Sequence, residues 1–329
     1  MTTSVLCYGL GPVGLGIARL AAQRAGIQIV AALDSDPAKT GHDLGDLLGG
    51  PPADIIVTDD AEAALATEPD IALHSTKSTL AQVLPELESL ARAGIRVVST
   101  CPELAYPWAT QPQTAVQLDR LARAHGVTVL GTGINPGYAM DTLPLILSAP
   151  CAIVRAVQVV RIADVSRRHD LLPQHVGVGL TPDDFTARVK EGGMRHIGLH
   201  ESLYMLAGSL GWQLEHVEYH IEPIIAQQTV VTPQVQLQSG FVAGVRQVIT
   251  GRIYSREVLR LDLQLYVGAT EPRDEVKIDG NPPIHMRIEG GIQSDIATAA
   301  IVVNAVPTVM RAAPGLATMV DVGVVHWRG

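Results

Sequence analysis

The stretch "SVLCYGLGPVG" (residues 4–14) decides how the chain is read. A β-type run leads straight into Gly9, Gly11 and Gly14, spaced G-x-G-x-x-G, and Pro12 then opens a helical pattern. Each glycine has its own task in such a turn. Gly9 admits the tight bend, Gly11 lets the backbone approach a pyrophosphate, and Gly14 lets helix and strand pack closely. The helix start, with Pro12 and Val13, offers oriented N–H groups and a positive dipole to an anion. The next β-type run, "IQIVAALD", ends in Asp34, twenty residues past Gly14, where a carboxylate can accept from both ribose hydroxyls. A nicotinamide dinucleotide is therefore the expected ligand. Asp34 repels a 2′-phosphate and no arginine adjoins it, so NAD is expected. NADP is the second choice, because Lys39 lies five residues on. A glycine turn that binds nothing is the competing view.

Working outward, residues 1–134 read as strands alternating with helices. The β-type runs are "SVLCYGLG", "IQIVAALD", "ADIIVT", "PDIALHST", "IRVVST" and "VTVLGTG", with helical patterns in "TLAQVLPELESLARAG" and "QTAVQLDRLARAHG". Strands apolar throughout and separated by helices indicate a Rossmann-type, doubly wound parallel sheet covered on both faces. The second domain is placed at residues 135–293, and from about residue 151 the texture changes. Long runs such as "AIVRAVQVVRIADV", "LEHVEYHIEPIIA" and "VLRLDLQLYVGA" alternate polar and apolar residues, as a largely antiparallel sheet does in an α+β domain. One helix there starts at Thr181 as cap, Pro182 at the first position and Asp183 and Asp184 in the first turn. A second helix ends at Gly211. An Ala-rich helix over about 294–329 is expected to complete the first domain. The middle domain is expected to bind substrate and to form a homodimer through an apolar open face of its sheet.

The bulk numbers narrow the function. The chain has 329 residues, 47% hydrophobic and 17% charged, which suits a compact enzyme of two domains. A net charge of -9 gives no reason to expect nucleic acid or an anionic membrane as partner. Three scattered cysteines, no basic targeting segment and no apolar run of spanning length fit a reduced, cytoplasmic protein. The pairs His196/His200 and His216/His220 lack a helical metal-binding motif, and no metal is expected.

Candidate site residues follow from position. Ser75, Thr76 and Ser78 come after the "PDIALHST" run, at the carboxyl end where ligands of open α/β sheets lie; they line the nicotinamide side or cap the helix that begins near Thr79. Glu103, in "STCPELAYPW" (99–108), is the only charged residue between Arg96 and Asp119. Asn135 and Tyr138, in "GTGINPGYAMD" (131–141), mark the crossing between domains, where they orient substrate or form the turn that Pro136 and Gly137 demand. Trp108, Tyr138, Met140 and Tyr204 are the candidate pocket walls.

"STCPELAYPW", "GTGINPGYAMD" and "IEGGIQSDIATAAIVVNAVP" (288–307), with "VGVGLTPDDF" and "GLHESLYMLAGSLGW", resemble the dihydrodipicolinate-reductase-like enzymes of the 2,4-diaminopentanoate dehydrogenase and amine dehydrogenase family. The resemblance runs over nearly the whole chain. It implies interconversion of a primary amine with a ketone or aldehyde plus ammonia, with NAD(P) as hydride carrier and no metal. The family's catalytic glutamate maps onto Glu103. There is one departure: the family commonly has a second acidic residue just before that glutamate, and here Pro102 stands in its place. The chemistry of the residues agrees, since a fixed carboxylate stabilises cationic nitrogen intermediates and can shuttle protons.

Two other readings remain. A cyclic-imine reductase of the dihydrodipicolinate type would need basic residues for a dicarboxylate, and Arg167, Arg168 and His169 form the only such cluster in the second domain. A non-catalytic NAD(P)-binding sensor would need an attached partner module, and no such segment is seen.

Overall fold

The computed structural model describes residues 2–166, 176–232 and 235–328. The cluster Arg167, Arg168 and His169 lies outside them. The chain divides into two compact units, Met1–Tyr138 with Ser294–Gly329, and Ala139–Gln293.

The first unit is built on strands β1 (Thr3–Tyr8), β2 (Ile27–Leu33), β3 (Ile71–His74), β4 (Arg96–Ser99) and β5 (Thr128–Gly131). With the short strand Gly315–Ala317 they form one parallel sheet. From edge to edge the order is Gly315–Ala317, β5, β4, β3, β1, β2. The chain leaves β1 for β2 on one side and returns to β3 on the other. The switch point between β1 and β3 is the place where open α/β sheets bind their ligands. Alternate residues of each strand feed two cores. Val5, Cys7, Leu73, Val98 and Leu130 pack under the helices Pro12–Ala22 and Ser294–Val309. Leu6, Ala72, Val97 and Val129 pack under Leu80–Arg92 and Pro112–Ala124. Burial on both faces explains why the central positions of these strands are apolar on either side.

Two expectations need correction. "ADIIVT" (53–58) is not a strand but makes two isolated bridges, Leu33 to Thr58 and Asp43 to Ile56. Its N–H groups are diverted: the Asp43 carboxylate accepts from Ala53 and Ile55, and Asp54 takes φ 57. The C-terminal helix does not run to 329. It ends at Val309, and Gly315–Ala317 then supplies the sixth strand beside β5. A three-residue strand carries too little periodicity to be read from sequence.

The second unit centres on β6 (Ile153–Asp164), β7 (His216–Ile225), a two-residue ribbon of β8 (Val230–Val231) and β9 (Gln236–Leu237), β10 (Val242–Ile253), β11 (Arg256–Tyr266), β12 (Arg273–Asn281) and β13 (Ile284–Glu289). The main sheet runs β13-β12-β6-β11-β10-β7, antiparallel except for the β6–β11 pair. The helix Pro182–Lys190 starts as its sequence dictates, with the Thr181 hydroxyl accepting from Asp184 N–H. One face of this sheet carries charge pairs. Arg246 pairs with Asp262 at 2.6 Å and Glu222 at 2.8 Å, and Glu275 gathers Arg273, Lys277 and His285. No helix among the described residues is long and apolar enough to cross a membrane.

Candidate active site

The glycine loop is shaped by its neighbours. A Cβ on Gly9, whose φ is +88, would sit 2.5 Å from the Ser75 carbonyl oxygen, and one on Gly14 would sit 1.9 Å from the Gly9 carbonyl oxygen. Only glycine allows β1, the Pro12–Ala22 helix and the loop after β3 to meet this closely. The Ser75 hydroxyl locks the junction by donating to Gly9 O at 2.9 Å.

Gly11 differs: nothing lies within 4 Å of where its Cβ would be. It is the N-cap of the Pro12–Ala22 helix, with no side-chain hydrogen bond to the helix N–H groups, and Val13 beside it is exposed. This open, uncapped helix start fits a pyrophosphate. Asp34, directly after β2, accepts from Leu10 N–H at 2.5 Å and Asp36 N–H at 2.8 Å, and pairs with Lys39 at 3.4 Å. The same carboxylate thus holds the glycine loop at the carboxyl end of β2. At the carboxyl end of β5 both polar atoms of the Asn135 carboxamide, and the Thr132 hydroxyl, are buried without a hydrogen-bond partner among the described residues. A buried donor and acceptor left open cost free energy unless a ligand or water engages them, and a nicotinamide carboxamide is complementary to them. The residues present therefore fit a nicotinamide dinucleotide.

A test follows from the contrast between the glycines. Gly11→Ala is expected to leave the melting temperature within about 1 °C of wild type while weakening NADH binding by about tenfold or more. Gly14→Ala must push backbone apart and is expected to cost more than the ~1–3 kcal/mol of ordinary overpacking. Fluorescence titration and thermal melts check both, and equal effects of the two changes would refute the assignment.

Thr79, the N-cap of the Leu80–Arg92 helix, makes no side-chain hydrogen bond to the helix N–H groups. Ser78 is exposed and Thr76 donates to Glu86 at 2.6 Å. The Leu80–Arg92 helix takes its cap from elsewhere: Leu80 N–H donates to Glu103 Oε2 at 2.7 Å. Glu103 sits in a single 3-10 turn, Pro102–Leu104, just beyond β4, with Pro102 setting φ at its start. Gln111 Nε2 donates to the same oxygen at 2.8 Å. Among the described residues Oε1 has no hydrogen-bond partner. One carboxylate oxygen is thus anchored twice and the other is not.

Beneath this turn lies a polar cluster in an apolar wall. His74, fully buried at the end of β3, meets Ser99 Oγ through Nδ1 at 2.8 Å and Glu86 Oε2 through Nε2 at 2.7 Å. Burial would raise the Glu86 carboxyl, but hydrogen bonds from His74 and Thr76 outweigh it and hold the group below its ordinary range. The Tyr8 ring stands edge-on to His74 at 5.2 Å, and burial, with the Glu86 charge, pushes its hydroxyl up to about 12.

Of the candidate pocket walls, Trp108 is partly buried against the core under Leu80–Arg92 and Pro112–Ala124. Tyr138 closes the first unit. Met140 is fully buried in the second unit, and Tyr204 is half-buried on the helix Leu199–Ser209. Sequence reasoning missed Gln111 and Glu86. Gln111 carries no signal, because its role depends on an extended φ of -139 ahead of Pro112. Glu86 did leave one: it falls three residues after Val83 and four before Leu90, on the helix's apolar stripe, where a carboxylate needs a partner.

Comparison with known proteins shows the family. The model of the 2,4-diaminopentanoate dehydrogenase C-terminal domain matches residues 138–327, more than half of the chain. A 2,4-diaminopentanoate dehydrogenase of Acetoanaerobium sticklandii is 30% identical, across 97% of this chain and 93% of its own. An amine dehydrogenase of Streptomyces virginiae is 24% identical across 97% and 96%. The structure of an amine dehydrogenase from Mycobacterium smegmatis superposes with a TM-score of 0.89 at 26% identity, covering 100% of this chain and 98% of that one. A dihydrodipicolinate reductase from Paenisporosarcina, at TM-score 0.54 and 13% identity, shares the fold alone. A family model over more than half the chain and a full-length relative at 30% identity establish that this chain belongs to the 2,4-diaminopentanoate dehydrogenase family and is an oxidoreductase.

Proposed function

We propose that the protein is an NAD(P)-dependent amine dehydrogenase that joins ammonia to a small ketone or aldehyde, with Glu103 as acid/base and cation stabiliser. The observation that carries this reading is a carboxylate at the carboxyl end of β4, fixed through Oε2 and open at Oε1. It is supported by family membership and by a similar amine dehydrogenase structure.

The overall change balances as ketone plus ammonium ion plus NADH giving amine, water and NAD⁺. Addition of ammonia to the carbonyl gives a carbinolamine, whose hydroxyl must be protonated to leave as water. Glu103 Oε1 is the group that passes this proton on. The iminium that results is cationic, and a carboxylate held on hydrogen bonds stabilises it without having to reorient. A bound nicotinamide supplies the hydride to the iminium carbon. Asp34 favours the cofactor with a free 2′-hydroxyl, because a 2′-phosphate beside it would meet a like charge that Lys39, shared with Asp36, only partly offsets.

Purified protein mixed with a panel of small ketones is expected to oxidise NADH only when ammonium is also present, and NADPH more slowly. Oxidation by ketone alone would mark an alcohol dehydrogenase instead. No turnover with any ketone–ammonium pair, despite NADH binding, would favour a sensor.

A further inference from the structure

We propose that His74 and Glu86 are positioning residues that aim Glu103, through a closed circuit of hydrogen bonds joining the loops after β3 and β4. The proposal rests on the reading of Glu103 given above.

The circuit can be followed atom by atom. His74 and Ser99 are register partners at the last positions of neighbouring parallel strands, so their side chains share a sheet face. His74 Nδ1 meets Ser99 Oγ at 2.8 Å, and the same Oγ accepts from Cys101 N–H at 3.1 Å. Cys101 is the residue from which the turn carrying Glu103 starts. In the other direction, His74 Nε2 meets Glu86 Oε2 at 2.7 Å. Glu86 belongs to the helix Leu80–Arg92, whose first N–H donates to Glu103 Oε2 at 2.7 Å. Both ends of the circuit therefore finish on Glu103, one through its backbone and one through its carboxylate.

The donor roles follow from what each group can do. An ionised Glu86 can only accept, and its depressed carboxyl keeps it ionised at neutral pH, so His74 presents an N–H at Nε2. Thr76 Oγ1 lies 3.1 Å from His74 Nε2 and donates to Glu86 Oε2 at 2.6 Å, which ties the loop after β3 to the helix. Tyr8 closes the remaining side of the ring edge-on. His74 and Glu86 reach Glu103 only through other groups, so the effect assigned to them on catalysis is indirect. It is large because a general acid/base works only within hydrogen-bond reach of its proton, and a displacement of about 1 Å can cost on the order of 10²-fold.

A histidine that merely fills the core would lower stability when its partner is lost and leave the chemistry per folded molecule alone. Positioning predicts something different. Glu86 is 26% exposed, so the fold is expected to survive its truncation. Glu86→Ala is expected to lower kcat by about 10- to 100-fold, with KM for the ketone and the Kd for NADH within about twofold of wild type. Glu86→Gln keeps an acceptor for His74 Nε2–H and is expected to recover most of the loss. Placed on Glu103→Gln, the Glu86→Ala change is expected to cost nothing further, because the group it aims is already disabled. Ser99→Ala cuts the other arm and serves as the second variant should Glu86→Ala fold poorly.

Hydrogen exchange at the Leu80 amide reads the same coupling without any turnover. Its bond to Glu103 is expected to open about tenfold more often in Glu86→Ala or Ser99→Ala. Unchanged Leu80 exchange, or losses in kcat that multiply in the double variant, would overturn the positioning role. If wild-type protein aminates no ketone while Leu80 exchange does respond, the amine dehydrogenase reading falls and the circuit stands.

Discussion

Glu103→Gln is expected to lower kcat for reductive amination by about 10²- to 10⁴-fold, the usual span of a single acid/base group, while the protein stays folded. The glutamine amide is nearly the same shape, and its oxygen can still accept from Leu80 N–H, which in the native protein meets Glu103 Oε2 at 2.7 Å. What disappears is the negative charge and the ability to gain and lose a proton. Glu103→Ala removes the helix cap as well, and should add a stability loss of roughly 0.5–2 kcal/mol, as for other lost N-terminal caps. Steady-state kinetics with thermal melts separate the two effects. A glutamine variant that keeps more than half of the wild-type kcat would end the proposal that this carboxylate carries the chemistry.

Asp274→Ala is expected to destabilise the second unit by about 3–5 kcal/mol, the cost of breaking a buried ion pair from one side. Asp274 on β12 lies directly opposite Arg161 on β6, and both side chains are only 2% exposed. Arg161 Nη1 donates to Asp274 Oδ1 at 2.5 Å. The pair then grips Ile292 by both backbone groups: Ile292 N–H donates to Asp274 Oδ2 at 2.7 Å, and Ile292 O accepts from Arg161 Nη2 at 2.8 Å. Alanine leaves the guanidinium without the carboxylate facing it and the Ile292 N–H without an acceptor. Asp274→Asn keeps an acceptor for that N–H and is expected to lose less. Urea unfolding followed by a signal from the second unit measures both. A loss below about 1 kcal/mol for alanine would show that the pair stabilises little.

Those two residues differ in how far they could be read in advance. Glu103 stood out as the only charge in a long neutral stretch, and its segment matched a family motif. Asp274 and Arg161 are ordinary members of alternating strands, and nothing in their spacing, more than a hundred residues apart, says that they face each other. The parallel sheet was legible because strands buried on both faces must be apolar throughout, as Val5, Leu6 and Cys7 are. The same rule misled at 53–58, where Ile55, Ile56 and Val57 have the composition of a strand but the Asp43 carboxylate takes N–H groups that a ladder would use. It was silent at Gly315–Ala317, too short to show any period.

The sequence by itself determined the features that depend on local chemistry. These are the glycine turn with its acidic partner Asp34, the alternation of strand and helix, the Thr181 cap, and the identity of the one carboxylate after β4. The tertiary structure alone decided which groups that chemistry meets. Glu103 caps a helix that starts 23 positions earlier, and His74 joins Ser99 to Glu86 across three elements. Asp34 braces the loop it was expected only to face. The physical reason is range. Turns, caps and periodic burial are set by neighbours within a few residues, whereas a hydrogen bond between distant side chains exists only once the sheet has chosen its order.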